Sequence, residues 1–241
     1  MKIEFCGQSD VGLVRTNNED IFIVDTEARY GVVADGMGGA AAGEMASQLF
    51  AQTAVEQFSQ HKNVTEQAAL EQVQEVFSLA NDRILAHVVQ NPLHEGMGCT
   101  AELIAFTANS YVIGHMGDSR TYRWRLNSLK QLTKDHSLVQ SQIDQGLISE
   151  SQARVHNMRN VILRAVGVRP DPELDVLRGP IFSGDVFMLC SDGLTDLVDD
   201  AAIAGVFMQT GGIEQKCRQL IDLAKLSGGK DNITVVIAEV L

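Results

Sequence analysis

Val32-Val33-Ala34-Asp35-Gly36-Met37-Gly38-Gly39 is an apolar run that breaks at an aspartate into glycine. The β-branched start reads as a strand near 30–35, and the glycines permit a sharp turn after it. The next fifty residues decide the fold class. Two long helical segments come in succession, Glu44 to Gln60 and Glu66 to Gln90, with no strand between them. The first places Ala46, Leu49, Phe50, Thr53, Ala54 and Phe58 on one face. The second repeats Leu70, Val73, Phe77, Ala80, Ile84 and Val88 at close to a/d spacing.

Further apolar runs bounded by turn residues predict strands near 2–8, 20–26, 100–107, 110–116, 119–126, 185–191 and 232–240. A third helix from Ile213 to Leu226 presents Ile213, Cys217, Leu220, Ile221 and Ala224 on one face and ends at Gly228-Gly229. Adjacent strands joined by short turns, and helices that come one after another, do not alternate as βαβ units do. The order favours an α+β class of antiparallel sheets packed on each other, with helix pairs outside. The polar stretch 133–167 carries Asp135-His136 and two short helical candidates, Leu138–Gln145 and Ser149–His156. Its composition suits an insertion over a site and an ordinary surface connection equally. No repeat or low-complexity linker is visible, so one domain over residues 1–241 is expected.

Asp35 has three counterparts at similar breaks: Asp118 in Gly117-Asp118-Ser119-Arg120, Asp192 in Cys190-Ser191-Asp192-Gly193, and Asp231 in Gly229-Lys230-Asp231-Asn232. One aspartate beside glycine is usually a turn. Four at strand ends across the chain suggest an oxygen-lined site for hard divalent cations, because gathered carboxylates repel unless cations hold them. Two metals about 3.5–4 Å apart can bridge one water and aim it at an electrophile. Asp35 suits the bridging position, since Gly36 frees its carbonyl to bind; Asp192 and Asp231 complete one shell. Arg15, in Arg15-Thr16-Asn17-Asn18-Glu19-Asp20, can fork onto a phosphate. A surface salt bridge is the plain alternative for Arg15.

Composition narrows the partners. Thirty-one acidic against nineteen basic residues give a formal charge of −12, which argues against nucleic acid or an anionic membrane as partner. No secretion-type leader and no long apolar stretch is visible, so a cytoplasmic monomer is expected. The sequon Asn63-Val64-Thr65 carries no weight without secretion. Cys6, Cys99, Cys190 and Cys217 lie far apart and read as reduced thiols.

Several decoys fail on chemistry. Gly36-Met37-Gly38-Gly39-Ala40-Ala41 fits a dinucleotide fingerprint, but Asp35 would face the pyrophosphate and no parallel strand comes after it. Gly228-Gly229-Lys230-Asp231 lacks the spacing of a P-loop, and 192–200 lacks the alternating ligands of an EF-hand. No cysteine is followed six places on by arginine, and no His-x-x-x-His pair suggests zinc. His115 and His136 lie near the proposed site, with structural roles expected.

Together these residues resemble the metal-dependent protein phosphatases of type 2C, the PPM family, and its bacterial stand-alone members in particular. The resemblance runs from Ser9 to Val240. It rests on Arg15-x-x-Asn18-Glu19-Asp20, Val33 to Gly39, Met97-Gly98-Cys99-Thr100-Ala101, Gly117 to Arg120, Asp135-His136-Ser137, Cys190 to Leu194 and Gly229-x-Asp231-Asn232. It implies a four-layer αββα sandwich and Mn²⁺- or Mg²⁺-dependent hydrolysis of phosphoserine and phosphothreonine in proteins by a metal-activated water. Asp35 would bridge two ions, with the Gly36 carbonyl on one and Asp192 and Asp231 on the other. Glu19 and Asp20 would hold metals directly or through water. Asp118, with Asp192, matches a third-ion position. Arg15 would take the phosphate, and 133–167 would form a flap that shapes substrate choice. The implied partners are phosphoproteins, including a Ser/Thr kinase and its substrates. Two departures stand out: Met37 occupies the place of the histidine of eukaryotic members, and Glu19 stands where some relatives carry glutamine. The competing expectation is a catalytically silent phosphoprotein-binding regulator on the same fold, but no acidic position is missing.

Overall fold

Strand ladders explain most of the architecture. The computed structural model describes residues 1–60 and 65–241; Asn63 and Val64 of the sequon lie outside the described residues. Ten strands form two antiparallel sheets of five. One sheet has the order β1 (Ile3–Asp10), β10 (Ile233–Val240), β9 (Val186–Cys190), β6 (Arg120–Arg125) and β7 (Ser128–Gln131). The other has β2 (Asp20–Asp25), β3 (Tyr30–Met37), β4 (Gly98–Phe106), β5 (Ser110–Met116) and β8 (Asp175–Pro180).

Apolar residues divide into three layers between these elements. The sheets meet face to face through Ile3, Val33, Ile104, Ile113, Phe187 and Val236. The outer face of the β2–β8 sheet buries Val32, Ala34 and Leu103 against α1 (Ala40–Gln60) and α2 (Glu66–Gln90). The other outer face packs Met188 and Val235 against α5 (Asp192–Thr195), α6 (Asp200–Met208) and α7 (Ile213–Leu226). Alternation along each strand thus feeds two cores at once. The result is the expected αββα sandwich. The four cysteines are free thiols, three of them buried. Among the described residues no helix is long and apolar enough to cross a membrane.

Among the described residues five elements were not foreseen: β7, β8, α5, α6 and a short 3-10 turn at Pro92–His94. β7 and β8 are edge strands, half exposed along their length. An edge strand needs no apolar run, and these two bury no residue fully, so periodicity does not mark them as it marks the edge strands β1 and β2. β7 returns from β6 through Leu126 and Asn127, both at positive φ, a hairpin turn without the usual glycine. α5 is a single turn. α6 did carry a signal: Asp199 caps it by accepting from the Ala202 amide at 2.8 Å, and Ile203, Val206 and Phe207 face the core.

α1 also starts four residues earlier than Glu44. The helix presses onto β3 through two glycines. A Cβ on Gly36 would collide with the Gly43 carbonyl, and one on Gly43 would collide with the Glu19 carboxylate. This contact lays the first turn of α1 beside Asp35-Gly36, at the end of the sandwich where the acidic residues gather. An alanine inside a helix normally stabilises it by roughly 1 kcal/mol over glycine. Gly43→Ala should invert that sign and lower stability by about 1–3 kcal/mol through overpacking. Gly205→Ala in α6, where a Cβ meets nothing within 4 Å, should show the ordinary gain. Urea midpoints of the two variants against the parent check both signs.

Candidate metal centre

Antiparallel pairing brings distant carboxylates to one end of the sandwich. Asp20 opens β2 and stands directly opposite Asp35 near the end of β3. Like charges in that relation repel. Asp118 lies in the turn between β5 and β6, Asp192 opens α5 after β9, and Asp231 precedes β10. Asp35 feels the charges of Asp20, Asp192, Asp118 and Asp231, which places the five toward the same end of the sandwich. Among the described residues no three such side chains come together as a ready ligand group.

Electrostatics show how unfavourable the cluster is alone. Burial, then the neighbouring aspartates, push Asp35 and Asp192 well above the usual carboxylate range. Burial raises Asp20 to about 6, although bonds from Thr234 and Ser191 pull it down. Asp118 rises to about 7 through burial and the charges of Asp135 and Asp196. Two oxygens, Oδ1 of Asp20 and Oδ1 of Asp192, are buried without a hydrogen-bond partner. An orphaned buried carboxylate oxygen is costly and calls for a cation. The donor set is all oxygen, which suits Mg²⁺ or Mn²⁺. The residues present therefore fit a hard divalent ion.

The loop carrying Arg15 is tied to the same end by asparagines. Asn232 Nδ2 donates to the carbonyls of Val11 and Asn17 at 3.1 and 2.9 Å, and its Oδ1 accepts from the Glu19 amide at 2.8 Å. Asn18 bonds Ser9 and the Asp20 amide. Asn232 is the positioning residue that sequence reasoning passed over, although it stands next to Asp231 in the chain. Arg15 reaches the site and donates to Asp231 Oδ2 at 2.8 Å, with about half its side chain exposed. An exposed pair of this kind is weak, which leaves the guanidinium free to turn to another anion. The Glu19 carboxylate accepts from Asn17 at 3.2 Å, lies against Gly43 of α1, and adds to the negative field that Asp231 and Asp35 exert on Arg15.

Beside Asp118 and Asp192 opens a cavity of about 260 Å³. The segment 133–167 forms its outer wall through α3 (Leu138–Asp144) and α4 (Glu150–Arg154), close to the two helices expected. α4 begins with a full capping box of Ser149 and Gln152. The stems of the segment meet in a bridge between Ser137 and Ile162.

The family model for protein phosphatase 2C matches residues 14–226. The chain belongs to the protein phosphatase 2C family. It is 39% identical over 242 residues to the serine/threonine protein phosphatase PstP of Mycobacterium tuberculosis, covering 99% of this chain and 45% of that protein. The chain thus spans less than half of the length of that relative. It is 33% identical to the serine/threonine phosphatase stp of Listeria welshimeri, covering 99% of this chain and 96% of that one. The solved catalytic domain of PstP in complex with two manganese ions superposes with a TM-score of 0.90 at 36% identity, over 99% of this chain and 98% of that one. A type 2C centre with two manganese ions in that relative matches the all-oxygen donor set found here.

A carboxylate whose folded pKa is raised stabilises the fold only while protonated. Its contribution is full below the unfolded value and is lost as pH rises through the folded one. For Asp118 that window runs from 3.8 to about 7. With a chelator present, Asp118→Asn should therefore be more stable than the parent at neutral pH, and the difference should vanish by pH 4. Mn²⁺ should stabilise the parent more than the variant. Thermal melts across pH, with EDTA or with Mn²⁺, measure both effects.

Proposed function

We propose that this chain is a metal-dependent phosphatase acting on phosphoserine and phosphothreonine in proteins. The observation that carries the reading is the set of buried aspartates with orphaned oxygens beside a reachable arginine. The family membership and the manganese-containing relative support it.

In this reading Asp35 bridges two Mn²⁺ or Mg²⁺ ions, with the Gly36 carbonyl as a further ligand. Asp192 and Asp231 hold the second ion, Asp20 contributes through its unpaired oxygen, and Asp118 with Asp192 serves a third. Glu19 would hold a metal directly or through water. Such ions supply Lewis-acid polarisation of phosphoryl oxygens and a water that ionises near neutral pH. Arg15 turns from Asp231 to fork onto the phosphate, fixing its orientation. Met37 offers no proton, so the leaving oxygen receives none from that position. We infer further that residues 1–241 act as one domain, with 133–167 as a flap that shapes substrate choice. A cytoplasmic monomer opposing a Ser/Thr kinase is the corresponding cellular placement.

EDTA should abolish hydrolysis of p-nitrophenyl phosphate and of phosphothreonine peptides, and Mn²⁺ should restore both. Asp192→Asn should lower kcat on the order of a thousandfold, as expected for losing charge stabilisation worth several kcal/mol. Arg15→Ala should raise KM while leaving Mn²⁺ affinity nearly unchanged. Hydrolysis that survives chelation would overturn the mechanism. Tight Mn²⁺ binding without turnover on any phosphopeptide would favour the silent, phosphoprotein-binding reading.

A further inference from the structure

Behind the site lies a fully buried acid and base that the proposed chemistry does not use. Glu102 on β4 and His115 on β5 face each other across the ladder, and both side chains are wholly buried. His115 Nδ1 meets Glu102 Oε1, and Thr121 Oγ1 on β6 of the other sheet donates to Glu102 Oε2. The second imidazole nitrogen, Nε2, lies 2.8 Å from the Lys134 carbonyl.

That last contact determines the protonation logic. A carbonyl only accepts, so Nε2 carries a hydrogen. Between Nδ1 and Glu102 there must then be one more proton, on whichever of the two groups holds it. Imidazolium with carboxylate, or imidazole with carboxylic acid, is neutral as a pair. Burial pulls the imidazole down, yet the charge and hydrogen bond of Glu102 outweigh it and leave His115 at about 8. Burial likewise pushes the Glu102 carboxyl up. A neutral, fully bonded pair is the form in which such groups survive without water.

The pair joins two sheets to the base of the 133–167 segment. Past Lys134, Asp135 holds Arg120 through two bonds of 2.8 and 2.7 Å. The His136 amide donates to the Gly117 carbonyl at 2.7 Å, and the Gly117 amide donates to His136 Nδ1 at 3.2 Å. Gly117 immediately precedes Asp118. The His136 carbonyl accepts from the Leu163 amide at 2.7 Å, which ties in the returning stem. The imidazole of His136 packs 4.5 Å from that of His115, centre to centre.

We propose that Glu102 and His115 form a buried positioning pair that fixes the Asp118 turn and both stems of the 133–167 segment in one arrangement. As a statement about catalysis it rests on the phosphatase reading. As a statement about the scaffold it does not. The chain of bonds runs from Thr121 through Glu102 and His115 to Lys134, and the next two residues grip Arg120 and Gly117. Loosening the first link frees the last.

Glu102→Leu removes both bonds while keeping volume, whereas Glu102→Gln can still accept from Thr121 and donate to a neutral His115. In Glu102→Leu, deuterium uptake at the Leu138 and Leu163 amides should quicken about tenfold, and calorimetric Mn²⁺ affinity should fall by about tenfold, as for lost outer-shell partners. With p-nitrophenyl phosphate, kcat should fall by a similar factor with little change in KM. Glu102→Gln should restore each quantity to within about threefold of the parent, since every buried group keeps a partner. A folded Glu102→Leu with unchanged exchange and unchanged Mn²⁺ titration would overturn the proposal, whatever its melting temperature. Should that variant not fold, Thr121→Val breaks the first link alone and is read the same way. A parent without Mn²⁺-dependent hydrolysis would sink the phosphatase reading, while exchange and calorimetry would still decide the role of this pair.

Discussion

Repulsion among buried aspartates is the constraint on which the rest of the structure depends. Asp20 and Asp35 stand opposite each other in one ladder, and Asp118, Asp192 and Asp231 act on Asp35 from the ends of other elements. No side-chain attraction gathers them. The backbone does so, through two antiparallel sheets whose shared apolar core fixes every strand end in space. The unfavourable energy stored at one end of the sandwich is what makes that end selective for hard cations.

The supporting features all serve that end. Gly36 and Gly43 let α1 lie against β3 where any larger residue would hold it off. Asn232 and Asn18 tie the Arg15–Asp20 loop to the neighbouring turn without adding charge. The Glu102–His115 pair spans the sheets as a neutral unit and reaches the base of the 133–167 segment. Each uses a group whose net charge is zero, which avoids adding to the repulsion already present. The chain belongs to the protein phosphatase 2C family, and the catalytic domain of one relative is solved in complex with two manganese ions.

Legibility in the sequence tracked the physics of each element. Strands buried on both faces, such as β4 and β5, and the amphipathic helices α2 and α7 were readable because burial imposes a pattern on their residues. The edge strands β7 and β8 were not, since one side of each faces solvent and pairing alone defines them. The early start of α1 was also hidden. It adds Ala40-Ala41-Ala42, strong helix formers that show no amphipathic period. In the site, Asp35, Asp118, Asp192 and Asp231 announced themselves by breaking apolar runs. Glu19 carried a motif signal as well, and its carboxylate lies between α1 and the Arg15 loop.

By itself the sequence determined which chemistry was available: oxygen ligands at strand ends, one arginine near the start, reduced thiols and no organic-cofactor loop. It also favoured antiparallel sheets packed on each other with helix pairs outside, because apolar period and element order depend only on local residues. Only the tertiary structure decided which carboxylates share a space, which of their oxygens lack partners, and that Glu102 and His115 meet at all. Those facts depend on register between strands far apart in the chain. Register is set by the packing of the whole core, and no local stretch of residues encodes it.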